Sequence, residues 1–346
     1  MSANPILVTR TRGERFENHH RGAICILNSK SEVVFEFGNI HGLCYSRSTL
    51  KLIQALPLVE SGAMEVFKLN GQELAICCGS HNGEKDHLLA VRSILSKIGL
   101  EEKHLLCGPQ LPTGRTAKRE LLKSQGKPLP IHHNCSGKHA GFLALCVYMG
   151  WELDTYLDVD HPLQRLVSKA TAEFFEIPEE QLILGEDGCS APNYACSLRE
   201  LALGYKNIGF GNDKMSLERE KALNRIQNAC LQYPYMLGGE LRFCSEINTA
   251  TNAAVLGKTG ADGVYCAILP EMGLSIAIKI DDGKMGPQYL VTQLLLKSLG
   301  ISFQKPLSKY DQSPVLNNNK HQVGEEACSV ELIEAIKKCP LFGEGI

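Results

Sequence analysis

The residue pattern predicts an α+β fold whose sheet is assembled from both ends of the chain around a helical middle. Three observations carry this. Two β-rich runs, residues 23–28 (AICILN) and 32–38 (EVVFEFG), stand near the start, and a second pair, 264–270 (VYCAILP) and 274–281 (LSIAIKID), stands near the end. Between about 130 and 235 the apolar residues recur at helical spacing. An uninterrupted strand–helix alternation, the mark of a doubly wound parallel sheet, is absent. The reading is one domain over residues 1–346, with sheet-forming parts at about 5–125 and 240–305 and a helical region at about 130–235.

Taken in order, the first two runs are separated by Ser29-Lys30-Ser31, a turn-sized gap, and read as a hairpin. Leu50, Ile53, Leu56 and Leu58 follow a Ser/Thr-rich start and predict a helix beginning near Ser46 to Ser48. Residues 73–78 (ELAICC) form an apolar run ended by Gly79-Ser80-His81-Asn82-Gly83, which reads as a strand with Ser80 just beyond it. Residues 85–99 have an amphipathic helical pattern closed by Gly99, and a Pro-containing loop with one short helix at 114–125 follows. Further helices are predicted over 136–150, 160–176, 178–184, 196–205 and 214–231. The late runs make a second hairpin around Glu271-Met272-Gly273, PQYLVTQLLLKSLG reads as a helix, and the tail beyond Phe303 is polar.

Composition narrows the function classes. With 44% hydrophobic and 21% charged residues the 346-residue chain resembles a soluble globular protein. Thirty-six basic side chains against 38 acidic ones leave a formal charge of −2, so no broad electropositive face for nucleic acid is implied. Fourteen scattered cysteines lack the regular spacing of a disulfide-stapled domain, and the longest apolar stretch, Ala140 to Trp151, is too short to span a bilayer. The expectation is a cytoplasmic protein with no membrane segment.

Several short patterns could carry chemistry. Ser48-Thr49-Leu50-Lys51 places a hydroxyl and an amine about one helical turn apart, where a lysine driven neutral could take the serine's proton. Gly257-Lys258-Thr259-Gly260 precedes a late strand, and an early S-x-x-K with a late K-T-G is the pairing of serine β-lactamases and penicillin-binding proteins, although no S-D-N equivalent is present. A phosphate-binding P-loop needs glycine where Asn252 stands, and the α/β-hydrolase elbow around Ser80 needs glycine where Cys78 stands, so both are excluded. His133-Asn134-Cys135-Ser136-Gly137-Lys138-His139 and Glu186-Asp187-Gly188-Cys189-Ser190 concentrate thiols, an amine and carboxylates. With no C-x-x-C or H-E-x-x-H, an ordinary structural zinc site is not indicated by spacing, and Ser136 could be only a helix cap.

Together these residues resemble the L-asparaginase II family, the thermolabile rhizobial type of amidohydrolase with a serine β-lactamase/glutaminase-like fold. The resemblance runs through most of the chain. It rests on Arg12-Gly13, Glu17-Asn18 and His20-Arg21, Arg47-Ser48-x-x-Lys51, Ser80-His81, Asn134-Cys135-Ser136-Gly137-Lys138-His139, Asp160-His161-Pro162, Asp187-Gly188-Cys189 and Gly257-Lys258-x-Gly260-Ala261-Asp262. It implies a single catalytic domain that hydrolyses L-asparagine to L-aspartate and ammonia, with Ser48 paired to Lys51 and Ser80 to Lys258. It further implies one zinc ion held by Cys135, Lys138 and Cys189, and a homodimer. Ser48 is expected to attack the side-chain amide, with Arg47, His139 and Asp187 positioning the small-molecule substrate. The alternatives are a glutaminase or another serine acyl hydrolase of the same fold, and a non-catalytic zinc-binding protein.

Overall fold

Strands form at the early runs 23–28 and 32–38, at the late runs 264–270 and 274–281, and also beside them. The computed structural model describes residues 3–307, 310 and 313–343. Among these are β1 (Ile6–Arg12), β2 (Arg15–Asn28), β3 (Val33–Phe37), β4 (Leu43–Tyr45), β5 (Ile183–Glu186), β6 (Pro192–Ser197), β7 (Leu256–Thr259), β8 (Val264–Leu269), β9 (Leu274–Ile280), β10 (Ser313–Leu316) and β11 (Gln322–Cys328). The elements are mixed α+β, the class expected from the sequence. The chain divides into two units.

The first unit comprises the chain up to Thr49, Cys196–Lys206 and everything from Ile247 onward. Its sheet has the order β10-β11-β1-β2-β9-β8-β7, with β3 also paired to β2. Every pairing is antiparallel, as expected of strands linked largely by hairpins. β2 is long enough to serve two neighbourhoods: its first half pairs with β1, and Ile24 to Leu27 pair with both β3 and β9. Ile24, Ile26, Ile276 and Ile278 are fully buried, so this central part is the apolar heart of the sheet. Helix Met285–Ser298 covers β9 and β1 with Val291, Leu295 and Leu296.

The second unit comprises Leu50–Ala195 and Asn207–Glu246. It is mainly helical. Helix Ser136–Met149 is buried from Ser136 to Cys146 and packs against helices Gly71–Cys77 and Lys85–Lys97. Gly137 permits the first contact, because a β-carbon there would lie 2.3 Å from the Ile76 carbonyl oxygen. No helix among the described residues is long and apolar enough to cross a membrane. None of the fourteen cysteines is in a disulfide, and twelve are buried.

Four local expectations are corrected. The early sheet-forming part does not extend to residue 125: the strands of that region end at Tyr45, and residues 71–77 are a helix. Asn70 caps that helix, accepting from the Glu73 N–H while the Glu73 carboxylate accepts from the Asn70 N–H. Leu74, Ala75 and Ile76 are all buried, and a helix buried around its circumference shows the same continuous apolar run as a buried strand. Residues 178–184 contain only the 3-10 turn Glu179–Gln181 before β5 begins, and β6 precedes the helix expected at 196, which starts at Leu198. Finally, the late sheet-forming part does not end at about residue 305: β11 (Gln322–Cys328) pairs with β1 and β10, with Gln322 and Glu325 exposed and the other five positions half-buried.

Candidate active site

In the first unit, Ser48 lies in the 3-10 turn Arg47–Leu50, which continues directly into helix Lys51–Gln54. Thr49 anchors this turn, its hydroxyl donating to the Ser46 carbonyl at 2.6 Å and its carbonyl accepting from Tyr205 at 2.8 Å. Gly260 faces the same turn. A β-carbon there would stand 3.2 Å from Thr49 and 3.3 Å from the Ser46 oxygen, so the glycine of Lys258-Thr259-Gly260 allows the late strand to lie close to the Ser48 turn. Lys258, on β7, is 1% exposed and donates from Nζ to the Thr259 carbonyl at 2.9 Å. Arg47 pairs with Asp262, in the turn that joins β7 to β8.

In the second unit, Lys51 is 1% exposed. Its amine donates to the Gly79 carbonyl and lies 3.0 Å from Ser80 Oγ. The loop carrying Ser80 is held by its backbone: the N–H groups of Ser80, His81 and Asn82 donate to Leu237, Asn134 and Gly238 at 2.8, 3.1 and 2.7 Å. Gly79 must be glycine, since a β-carbon would meet the Met236 oxygen at 2.4 Å. His81 Nδ1 accepts from the Gly83 N–H at 3.1 Å, which leaves the ring proton on Nε2 to donate to Ser136 Oγ, 2.9 Å away. Burial, reinforced by His87, pushes the His81 pKa well below its ordinary value. Ser136 is therefore no cap: it is the first helical residue and donates to the Ile131 carbonyl at 2.9 Å.

A second cluster in the same unit joins the two motifs that contain thiols. Cys135 Sγ, Cys189 Sγ and an Asp187 carboxylate oxygen lie within 4.8 Å of one another. Lys138 Nζ is 3.1 Å from Cys189 Sγ, and Asp187 Oδ2 is 3.7 Å from it. A hydrogen bond from the Cys135 thiol holds Cys189 well below the ordinary thiol range, with the Lys138 charge assisting. The same bond, together with burial, pushes Cys135 well up. Burial works against charge on Lys138, but Cys189, Cys135 and Asp187 outweigh it and raise its pKa. Two thiols, a carboxylate and an amine are a donor set suited to a soft divalent ion, and a Cys/Asp/Cys cluster of this kind could hold a metal.

His139, expected beside the substrate, is fully buried, with Nδ1 2.6 Å from the Tyr156 hydroxyl, and burial lowers its pKa to about 4. Tyr156 in turn accepts from the Leu106 N–H at 2.9 Å. Nothing in the local pattern of residues 152–161 marks Tyr156 as a partner of this motif. Asp187 stands with the two thiols, and the lysine that meets Ser80 in this unit is Lys51. Asp160-His161-Pro162 has a structural use: His161 accepts the Leu163 N–H and Pro162 opens helix Pro162–Phe175.

Residues 8–328 match the L-asparaginase II family, and the chain belongs to that family of hydrolases. This membership supports enzymatic activity. Among solved structures, a β-lactamase-like protein of Bacteroides dorei is similar at 14% identity, with 80% of this chain and 92% of that one covered and a TM-score of 0.46. A Bacillus glutaminase is similar at 13% identity, 81% and 91% coverage and a TM-score of 0.40. A D-alanine carboxypeptidase of Burkholderia cenocepacia is similar at 13% identity, 80% and 93% coverage and a TM-score of 0.39. A comparison with curated proteins gave no match.

Proposed function

We propose that the chain hydrolyses L-asparagine to L-aspartate and ammonia through a serine–lysine acyl-enzyme mechanism. The observation that carries the reading is the buried Lys51 amine, anchored on the Gly79 carbonyl and bonded to Ser80 Oγ at 3.0 Å, three positions after Ser48. In this reading Ser48 Oγ attacks the side-chain amide carbon while Lys51, in its neutral form, takes the hydroxyl proton. That proton passes to the departing nitrogen, ammonia leaves, and an ester of Ser48 remains. Water then adds to the ester and regenerates Ser48 and a free carboxylate. Ser80 fixes the position of the Lys51 amine and relays its proton, and Lys258 is the second lysine of the reaction. Arg47 suits an α-carboxylate and Asp187 an α-ammonium group.

Cys135, Lys138 and Cys189 would hold zinc, with Asp187 beside them. A bound zinc ion would orient the substrate. Lys138 must lose its proton to become a ligand, so metal uptake there releases protons and weakens in acid. The homodimer and a cytoplasmic location belong to the same reading.

A second reading exchanges the serines. The Lys51–Ser80 hydrogen bond favours it, because that hydroxyl already meets the candidate base. The test is ammonia release from asparagine and glutamine by the unsubstituted chain, Ser48→Ala and Ser80→Ala, alongside hydrolysis of a chromogenic β-lactam. The proposal expects asparagine to be the preferred substrate and Ser48→Ala to lose turnover by orders of magnitude. An undiminished Ser48→Ala chain removes Ser48, and an acyl group trapped on residue 80 installs the second reading. No ammonia from either amide refutes both.

A further inference from the structure

Asp262 closes the Gly257–Asp262 motif and has no part in the reaction outlined above. It lies in the turn between β7 and β8, with φ at +55°, and Arg47, immediately before Ser48, has φ at +51°. Non-glycine residues seldom adopt this left-handed backbone, and when they do the surrounding contacts must hold them there. Here two such residues, 215 positions apart, are each other's ion-pair partners. The turn itself is braced from behind: Lys279 Nζ donates to the Asp262 carbonyl at 2.7 Å and to the Ile280 carbonyl at 2.6 Å. Gly263 permits the tight passage, since a β-carbon there would stand 2.8 Å from Ile280. The Asp262 side chain is 64% exposed, so solvent screens the pair and its contribution to global stability is small. Its geometric effect is larger, because it joins the backbone on which Ser48 sits to the hairpin on which Lys258 sits.

We propose that Asp262 is a positioning residue, a latch that through Arg47 holds the Ser48 hydroxyl in its reactive place beside the Lys258 strand. The inference rests on the serine reading given above. Arg47 Nη1 donates to Asp262 Oδ2, a bond strengthened by opposite charges, and a neutral amide of the same shape offers an acceptor without the charge. Misplacing a nucleophile by about 1 Å can cost about 100-fold in rate, whereas the fold tolerates the same shift.

The experiment compares the full-length chain with D262N and D262E. Three quantities are measured: kcat and KM for asparagine, the thermal midpoint, and the rate at which a small activated ester without a carboxylate acylates the protein. The latch predicts that D262N lowers kcat by about tenfold or more and slows ester acylation by a similar factor. The midpoint should move by less than about 3 °C, as for a screened ion pair. D262E, which keeps the charge, should recover most of both rates. The idea is overturned if D262N keeps kcat within twofold. It is equally overturned if the loss is confined to asparagine and absent with the ester, which would place Asp262 in substrate-carboxylate binding alone. Equal damage in D262N and D262E with a large fall in midpoint would make the residue merely structural. Ser48→Ala, run in parallel, separates the two levels: a fully active S48A chain fails the serine reading, while an inactive S48A chain beside a fully active D262N chain fails only the latch.

Discussion

Replacing Cys189 with alanine in chelator-treated protein tests how the buried cluster is held together without reference to turnover. Lys138 is 3% exposed, with its amine 3.1 Å from Cys189 Sγ and 5.5 Å from the centre of the Phe142 ring. The opposing charge of Cys189 is the largest influence favouring the charged form of Lys138, ahead of Cys135 and Asp187. Removing one member of a buried charged pair typically costs about 3–5 kcal/mol, because the survivor keeps its desolvation penalty. Unfolding entropy of about 2.1 cal/mol/K per residue gives about 0.7 kcal/mol/K for 346 residues. The thermal midpoint of Cys189→Ala should therefore fall by about 4–7 °C. Lys138→Met combined with Cys189→Ala removes both charges and should return the midpoint to within about 2 °C of the starting protein. Calorimetry on the four proteins of the cycle is the assay. A single-mutant shift below about 1 °C, or strictly additive shifts, would refute the claim that these two groups are a charged pair.

Other consequences follow from the same geometry. Gly137→Ala forces a β-carbon toward the Ile76 oxygen, a 2.3 Å approach, and should destabilise by about 1–3 kcal/mol in denaturant titration, whereas Gly150→Ala, with no atom within 4 Å, should show only the strain of its positive φ. His81 is fully buried with a lowered pKa, so below the ordinary histidine value the unfolded chain binds a proton that the native chain does not. Stability should fall as pH drops from about 6.5, with a slope of up to about 1.4 kcal/mol per pH unit from this residue, and His81→Asn should flatten that slope in pH-dependent unfolding curves. Zinc bound per chain, measured after equilibrium dialysis, should drop in Cys135→Ser/Cys189→Ser. Undiminished stoichiometry would remove these thiols as ligands.

Much of the fold was legible because its signals are local. The hairpins at 23–38 and 264–281 combine β-rich runs with short turns, and both occur as β2–β3 and β8–β9. Helix Ser136–Met149 could be placed from its own residues, as could Leu217–Gln232. The run at 73–78 was misread because complete burial removes the periodicity that separates helix from strand. β11 was missed because a strand at half-exposed positions needs no apolar run. The chemical residue types could also be read, since S-x-x-K, N-C-S-G-K-H and D-G-C each lie within a few positions.

Partnership is another matter. Sequence by itself determined which nucleophiles, amines and thiols this protein has and grouped them in short segments, with those of Ser48 and of Cys135 to Lys138 at helix starts. Tertiary structure alone decided that Lys51 meets Ser80 across 29 positions, that Lys138 meets Cys189 across 51, and that Arg47 meets Asp262 across 215. Spacing along a chain fixes the neighbours of a side chain only within a helical turn or a strand pair. Beyond that range, contact depends on the path of the backbone, which is set by burial of the apolar core and by close approaches such as those Gly79 and Gly137 permit.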